Sequence, residues 1–431
     1  NAVVFPWNTF GLKDHWTLRL SAEDTVGNKK SVTSTIDLGV RKDLVKSLDA
    51  APRLFSPNND QKLDTTTITF EVTDACNVKI DLLDNNGQSV KSFTTVTSAA
   101  GKGTFVWDGK NNAHSTVPDG TYTVQLVASL TATPQVNQTE TLSLIVDTTP
   151  PVISVAGLVD NACLNRTELP ITGAINDPNL TGYNVAIAGP TGTTALDSGN
   201  QNRNGYSFGS ITDLSEDTYT LTVDGNDLGE NSAKLTRTFI IDRTPPKVTL
   251  ATPTSGAYFG GAGNIIDISG AIVEKNLAHY SLRYGMGESP VQWQEMVGGD
   301  SMPANSKLFS LKAGKSDAIV DGTYTISLYA KDKAGLEGEV RVKVIIDNTP
   351  PDVSITLPKD GGYVTKPADI TGTLADANLD SGTLELAQGA CSAAVNWTVS
   401  KTITASVTGG ALDMWKVLPA DGEYCLKVKA A

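Results

Sequence analysis

Ile145-Val-Asp-Thr-Thr-Pro-Pro-Val152 decides the reading of this chain, because it returns as Ile240-Ile-Asp-Arg-Thr-Pro-Pro-Lys247 and as Ile345-Ile-Asp-Asn-Thr-Pro-Pro-Asp352. The aspartates at 147, 242 and 347 stand 95 and 105 residues apart. Each copy runs from β-branched apolar residues into two prolines. Proline has no N–H for a sheet ladder and fixes its own φ, so a strand ends before the pair and the chain stays stiff through it. A new strand pattern then opens, as in Val152-Ile-Ser-Val155. The segment therefore reads as a connector between like units.

Two further markers keep the same period. Asp119-Gly-Thr-Tyr-Thr, Glu216-Asp-Thr-Tyr-Thr, Asp321-Gly-Thr-Tyr-Thr and Asp421-Gly-Glu-Tyr-Cys place a tyrosine at 122, 219, 324 and 424, and Asp14-His-Trp-Thr-Leu18 fills the slot with Trp16. Gly173-Ala-Ile-Asn-Asp-Pro-Asn-Leu180 returns as Gly270-Ala-Ile-Val-Glu-Lys-Asn-Leu277 and Gly372-Thr-Leu-Ala-Asp-Ala-Asn-Leu379. A period of about 100 residues is the size of an immunoglobulin-type sandwich. The strands agree with that size. Tyr219-Thr-Leu-Thr-Val223 alternates apolar with polar side chains, one face for a core and one for water. The repeated tyrosine fits the corner residue of such folds, with a turn before it. The expected fold is all-β, with tandem immunoglobulin-like β-sandwich domains in an elongated array.

The domains expected are 47–149, 150–244, 245–349 and 350–431. Residues 1–46 read as the C-terminal part of a further domain, carrying only its last strands and the Asp24-Thr-Val-Gly-Asn28 turn. The 350–431 domain stops soon after its tyrosine strand and so lacks its last strand. These ends suggest a piece of a larger repeat protein, whose other domains are its first partners.

Composition narrows the function. A net charge of −13 gives no basic footprint for nucleic acid. No apolar run approaches the roughly 18 residues of a membrane helix. Four cysteines at 76, 163, 391 and 425 form no Cys-x-x-Cys pair. Cys391 and Cys425 fall in one repeat and are candidates for a disulfide, whereas Cys76 and Cys163 fall in different repeats and read as free thiols. The three histidines, His15, His114 and His279, sit in different repeats, so no Ser-His-Asp or Cys-His site assembles from neighbours. Gly256 to Gly263 lacks the lysine of a phosphate loop. No catalytic or cofactor-binding residue is assigned, and the chain is expected not to be an enzyme.

The domain at 47–149 has its own opening. Leu54-Phe-Ser-Pro-Asn-Asn-Asp-Gln-Lys-Leu-Asp64 is followed by Val78-Lys-Ile-Asp-Leu-Leu-Asp-Asn-Asn-Gly87, Phe105-Val-Trp-Asp-Gly109 and Val117-Pro-Asp-Gly-Thr-Tyr122. This order resembles the immunoglobulin-like domain of flagellar hook-capping proteins and related modules of secreted bacterial proteins, with Gln61 where the family has glycine. The other repeats resemble bacterial Ig-like domains joined by Thr-Pro-Pro linkers, as in surface proteins, adhesins and proteins with RHS/YD repeats. The resemblance implies an extracellular or cell-surface bacterial location. The role expected from it is a spacer or stalk presenting another domain at a distance. The alternatives are an adhesin module binding a host protein or glycan, or a segment of an RHS/YD-repeat toxin or shell protein.

The sharpest chemical expectation is calcium. Asp147, Asp242 and Asp347 end strands at the linkers, Asp177, Glu274 and Asp376 fall on B–C turns, and Asp227 and Asp332 fall on F–G turns. In a sandwich the last two kinds of turn share one end, so these acids should converge at each linker. Calcium takes six to eight oxygens, chiefly carboxylate and carbonyl. Asn58, Asp60 and Asp64 loosely echo a calcium loop as a separate candidate. Tryptophans at 7, 16, 107, 293, 397 and 415 form no visible sugar platform, with Trp107 read as core. The stretch from Arg283 to Ala313, carrying Tyr284, Met286, Trp293 and Met296, is the longest insertion and the first candidate for a contact surface.

Overall fold

A computed structural model describes residues 14–38, 43–131, 134, 137–261, 264–302, 306–313 and 319–430. Every regular element among them is a β-strand. Trp7 lies outside the described residues. The chain divides into two compact units, Asn1–Ala162 with Arg166–Ile241, and Cys163–Asn165 with Asp242–Ala431.

The first unit begins with an antiparallel hairpin, Asp14–Glu23 with Lys29–Leu38. Two layers of sheet follow. Val45–Ala51, Thr66–Val72 and Gly101–Trp107 form a three-stranded sheet. Leu54–Phe55, Asn137–Val146, Gly120–Leu130, Cys76–Leu83 and Ser89–Ser98, in that spatial order, form a five-stranded one. Period-two patterning explains the layering. Along Gly120–Leu130, Tyr122, Val124, Leu126 and Ala128 are buried while Thr121, Thr123 and Gln125 face outward. Ile68, Phe70 and Trp107 meet them from the other sheet. Each buried Val, Leu, Ile or Phe side chain contributes about 1.5–3 kcal/mol. Trp107 is fully buried, packs edge-on to Phe55 and Tyr122, and donates its indole N–H to Lys110 O at 3.0 Å.

The plan repeats. Val152–Ala156, Leu169–Asn176 and Arg203–Ile211 make the next three-stranded sheet. Ser232–Ile241, Thr218–Asp227, Leu180–Gly189 and Gly192–Gly199 stand side by side in its partner. In the second unit, Lys247–Thr252, Asn264–Val273 and Lys307–Ala313 face Ala257–Phe259, Glu337–Ile346, Gly322–Asp332, Leu277–Met286 and Gln294–Gly299. The core between them holds Ile266, Ile268, Leu282, Ile326, Leu328 and Val344. Last come two three-stranded sheets, Asp352–Leu357, Ala368–Ala375 and Val407–Trp415, and Thr398–Ile403, Gly382–Gln388 and Tyr424–Ala430. Their core, with Leu374, Ile403 and Leu412, is smaller. Cys391 and Cys425 are bonded there, with Cα atoms 4.9 Å apart, while Cys76 and Cys163 are free.

Two details recur. The strand tyrosines tie their own corners: Tyr122, Tyr219 and Tyr324 each donate a hydroxyl hydrogen bond to the carbonyl four residues back, on Pro118, Ser215 and Val320. A short strand near the start of a repeat also runs parallel to its closing strand. Leu54–Phe55 pairs with Ile145 and Val146, and Ala257–Phe259 with Val344 to Ile346. Hydrogen bonds from Asp147 N to Phe55 O and from Asp347 N to Phe259 O extend these pairs into the linkers.

Candidate functional site

The linkers are held by side chains. Asp119, from the turn before the tyrosine strand, accepts from Thr148 N at 3.0 Å, Thr148 Oγ1 at 2.8 Å and Thr149 Oγ1 at 2.6 Å. Asp321 does the same for Asn348 N and Thr349 Oγ1. The repeated Asp-Gly-Thr-Tyr turn thus grips the linker that follows it.

A second grip comes from an asparagine. Asn179 Nδ2 donates to Asp147 Oδ2 at 2.6 Å, Asn276 Nδ2 to Asp242 Oδ2 at 2.7 Å, and Asn378 Nδ2 to Asp347 Oδ2 at 2.6 Å. The backbone N–H of each asparagine caps the acid two residues earlier, Asp177, Glu274 and Asp376, each at 2.7 Å. Sequence reasoning weighed the acids and passed over these asparagines, although they occupy one fixed place in the third repeated marker.

The structure brings two groups of three acids together. Asp147, Asp177 and Asp227 in the first unit offer oxygens within 4.8 Å of one another, and so do Asp242, Glu274 and Asp332 in the second. All but the half-buried Glu274 are buried. Asp347 and Asp376 are bridged by Asn378, but no third acid joins them among the described residues. Asn58, Asp60 and Asp64 lie together in one loop and accept backbone hydrogen bonds. Asp64 accepts from Asn59 N and Gln61 N, Asn58 from Asp60 N, and Asp60 from Lys62 N. These bonds cap a loop whose Asn59, Gln61 and Leu63 have positive φ, the turn chemistry of Asx side chains.

The two trios differ in one residue. At Asp227 the side chain four residues on, Asn231, is 3% exposed and makes four hydrogen bonds. Its Nδ2 donates to Asp147 O and Asp227 Oδ2, each at 2.9 Å. Its Oδ1 accepts from Ser56 Oγ at 2.7 Å and Asn58 Nδ2 at 3.1 Å. Asn231 therefore sews the Phe-Ser-Pro-Asn loop to the linker and to the next F–G turn. Gly229 lets it in, since a Cβ there would lie 2.8 Å from Asn231 Nδ2 and 2.9 Å from Asp147 O. At Asp332 the same place is held by Leu336, whose N–H reaches Asp332 Oδ1 at 2.8 Å. Asp332 is 2% exposed and its Oδ2 is buried without a hydrogen-bond partner.

Electrostatics follow burial. Desolvation, and then the charges of its neighbours, pushes Asp177 above the ordinary carboxylate range; burial does the same to Asp227, with Asp147 adding to it. Burial and the Asp242, Asp332 and Glu274 charges push the Cys163 thiol up to about 11.

The insertion after Arg283 builds a polar face. Arg283 lies 4.6 Å from the Trp293 ring centroid and Arg341 5.3 Å. Burial raises the Glu339 carboxyl, but hydrogen bonds from Arg341, Ser327 and Arg283 more than reverse it and leave it at about 2. Nearby, Met286 and Val291 are 60% and 97% exposed. A cleft of about 640 Å³ beside the disulfide is lined by Gln388, Asn396, Thr398, Tyr424 and apolar neighbours, with no carboxylate or histidine.

No curated protein sequence matches the chain. Among solved structures, the tetra-tandem repeat in the extending region of a large adhesion protein is 17% identical, aligning 89% of this chain with 99% of that one at a TM-score of 0.31. A 1.5-MDa bacterial ice-binding adhesin is 18% identical over 70% of this chain and 98% of its own, at 0.28. The ICAM-5 D1–D4 ectodomain fragment is 11% identical over 89% and 98%, at 0.37. Family models match more directly. Residues 56–132 match the FlgD Ig-like domain, and residues 107–240 match the bacterial Ig-like domain (group 3). Over residues 56–240 the chain is built of bacterial Ig-like domains.

Proposed function

We propose that this chain is an extracellular spacer, a non-catalytic run of sandwiches that holds another domain of a larger surface or secreted protein at a distance. The domain limits 47–149, 150–244, 245–349 and 350–431 belong to this proposal. The observation that carries it is the four-bonded Asn231, which ties the loop at Ser56 and Asn58 to the linker at Asp147 and the turn at Asp227. A spacer needs joints that resist bending. Here proline stiffness is supplemented by hydrogen bonds on both sides of the linker: Thr148 and Thr149 donate to Asp119, and Asp147 accepts from Asn179 and Asn231.

The test is a distance measurement on the whole chain. Spin labels are placed on Lys102→Cys and Thr193→Cys, both exposed, with Cys163 replaced by serine. The expected result is a single narrow distance distribution. A broad distribution would mean a flexible tether and remove the spacer reading. The adhesin reading has its own support in the Trp293–Arg283–Arg341 face and the exposed Met286 and Val291 beside it. Glycan or host-protein binding lost on Trp293→Ala would favour it.

A further inference from the structure

The last pair of sheets departs from the others at its corner tyrosine. Tyr122, Tyr219 and Tyr324 are buried, and each gives its hydroxyl to the carbonyl four residues back. Tyr424, in the same place of the period, is only half-buried, and no described residue accepts from its hydroxyl. Tyr424 lines the cleft of about 640 Å³ instead. The loop after Gln388 adds Gly389, Ala393, Val395 and Asn396 to the lining. Gly389, at a φ of 104°, turns the chain out of the strand Gly382–Gln388, and its N–H donates to Glu423 O at 2.7 Å. The Cys391–Cys425 bond fastens the loop to the strand that carries Tyr424. At the loop's far end, Lys427 Nζ stands 3.8 Å from the Trp397 ring centroid and pairs with Glu385 at 2.6 Å. Asn396 and Thr398, on either side of Trp397, line the cleft. A loop held at three points needs little ordering when a ligand arrives.

We infer that this cleft binds a neutral saccharide. Its polar lining is made of the amides of Gln388 and Asn396 and the hydroxyls of Thr398 and Tyr424, and no described residue hydrogen-bonds to these four side chains. An amide and a hydroxyl each offer donor and acceptor, as every sugar hydroxyl does, so the two sets can pair in full. No charged side chain lines the cleft, so an ionic ligand would give up hydration there without gaining a partner. Leu386, Val395 and Tyr424 supply apolar surface for the C–H face of a pyranose ring. The volume lies within the range of small-molecule sites, about 300–1,000 Å³. The cleft belongs to a different pair of sheets from the Trp293 face, and the inference is independent of the spacer role.

The test is saturation-transfer NMR on the full chain, followed by titration calorimetry. Cellobiose, maltose, lactose and diacetylchitobiose serve as neutral probes, sialyllactose as a charged one, and acetylated, amidated tetra-alanine as a neutral peptide. At least one neutral disaccharide is expected to bind with a Kd of about 1 mM or tighter. Tyr424→Phe should weaken it about fivefold, the worth of one hydrogen bond, and leave the melting temperature unchanged, because that hydroxyl has no acceptor among the described residues. Asn396→Ala should weaken it by a similar factor, and Thr193→Ala, in the first unit, should bind as wild type does. Far-UV circular dichroism checks that each variant keeps its strands; if Tyr424→Phe fails that check, Asn396→Ala decides alone. No neutral disaccharide bound at about 10 mM would overturn the assignment, and so would wild-type affinity in both cleft variants. Tighter binding of sialyllactose or of the peptide than of every neutral disaccharide would overturn it too. Saccharide binding lost on Trp293→Ala and kept in both cleft variants would overturn it while leaving the adhesin reading standing.

Discussion

Replacing Asn231 with leucine tests the joint within the first unit and imitates the natural Leu336. The substitution removes four side-chain hydrogen bonds. It leaves three buried groups without that partner: Ser56 Oγ, Asp147 O and Asp227 Oδ2. Each costs about 1–3 kcal/mol when orphaned. Burying the leucine returns about 2 kcal/mol. The net loss is about 3 kcal/mol, or about a hundredfold in the equilibrium for opening the joint. Native-state hydrogen exchange on the whole chain reads this directly, in chelator so that no cation replaces the amide. Protection should fall about a hundredfold at the amides of Ser56 and Asn58, which bond within their own loop to Leu63 O and Ser56 O. Protection at Val124 and Leu126, in the core of the same sandwich, should stay near wild type. Exchange at Ser56 and Asn58 within twofold of wild type would refute the claim that Asn231 holds the loop against the linker.

Two further outcomes are expected. Glu339 sits at about 2 against an ordinary 4.5, so its ionised form contributes stability that is present above pH 4.5 and lost as pH falls through 2. Part of Glu339 is open to water, so screening leaves a contribution of about 1 kcal/mol, and the stability gap between wild type and Glu339→Gln in acid melts should narrow as pH falls from 4.5 to 2. Reducing the Cys391–Cys425 bond, which spans 34 residues, should cost the last sandwich about 3–4 kcal/mol and lower its melting transition, while the double serine variant should be insensitive to reductant.

Much of the fold was legible because β-sandwich strands advertise themselves twice, in period-two burial and in the turns that bound them. Tyr122 and Trp107 could be assigned to corner and core from their motifs alone. The acids at 147, 177 and 227 could be placed together because the B–C and F–G turns of a sandwich share an end. The locks were harder to see. Asn179, Asn276 and Asn378 follow an acid by two residues, a spacing that equally describes a local Asx turn, and nothing in it shows that the amide reaches a linker 32, 34 or 31 residues away. Asn231 was invisible for a different reason. Its partners Ser56 and Asn58 are more than 170 residues distant, and only the fold brings them within 3.1 Å. The contrast with Leu336 has meaning only once Asp332 Oδ2 is known to be buried and bare.

The parallel pairing of Leu54–Phe55 with Ile145 and Val146, and of Ala257–Phe259 with Val344 to Ile346, bears on mechanical load. In each case a segment near the entry of a repeat lies alongside the strand by which the chain leaves, pointing the same way. Tension applied along the chain drags these two segments lengthwise past each other. The bonds from Ile145 N to Arg53 O, Asp147 N to Phe55 O, Gly256 N to Lys343 O and Asp347 N to Phe259 O are then strained side by side in shear. An antiparallel hairpin pulled from its open end unzips one rung at a time, whereas these rungs share the force and yield together. A repeat fastened in this way resists stretching through its edge strands before its core is disturbed.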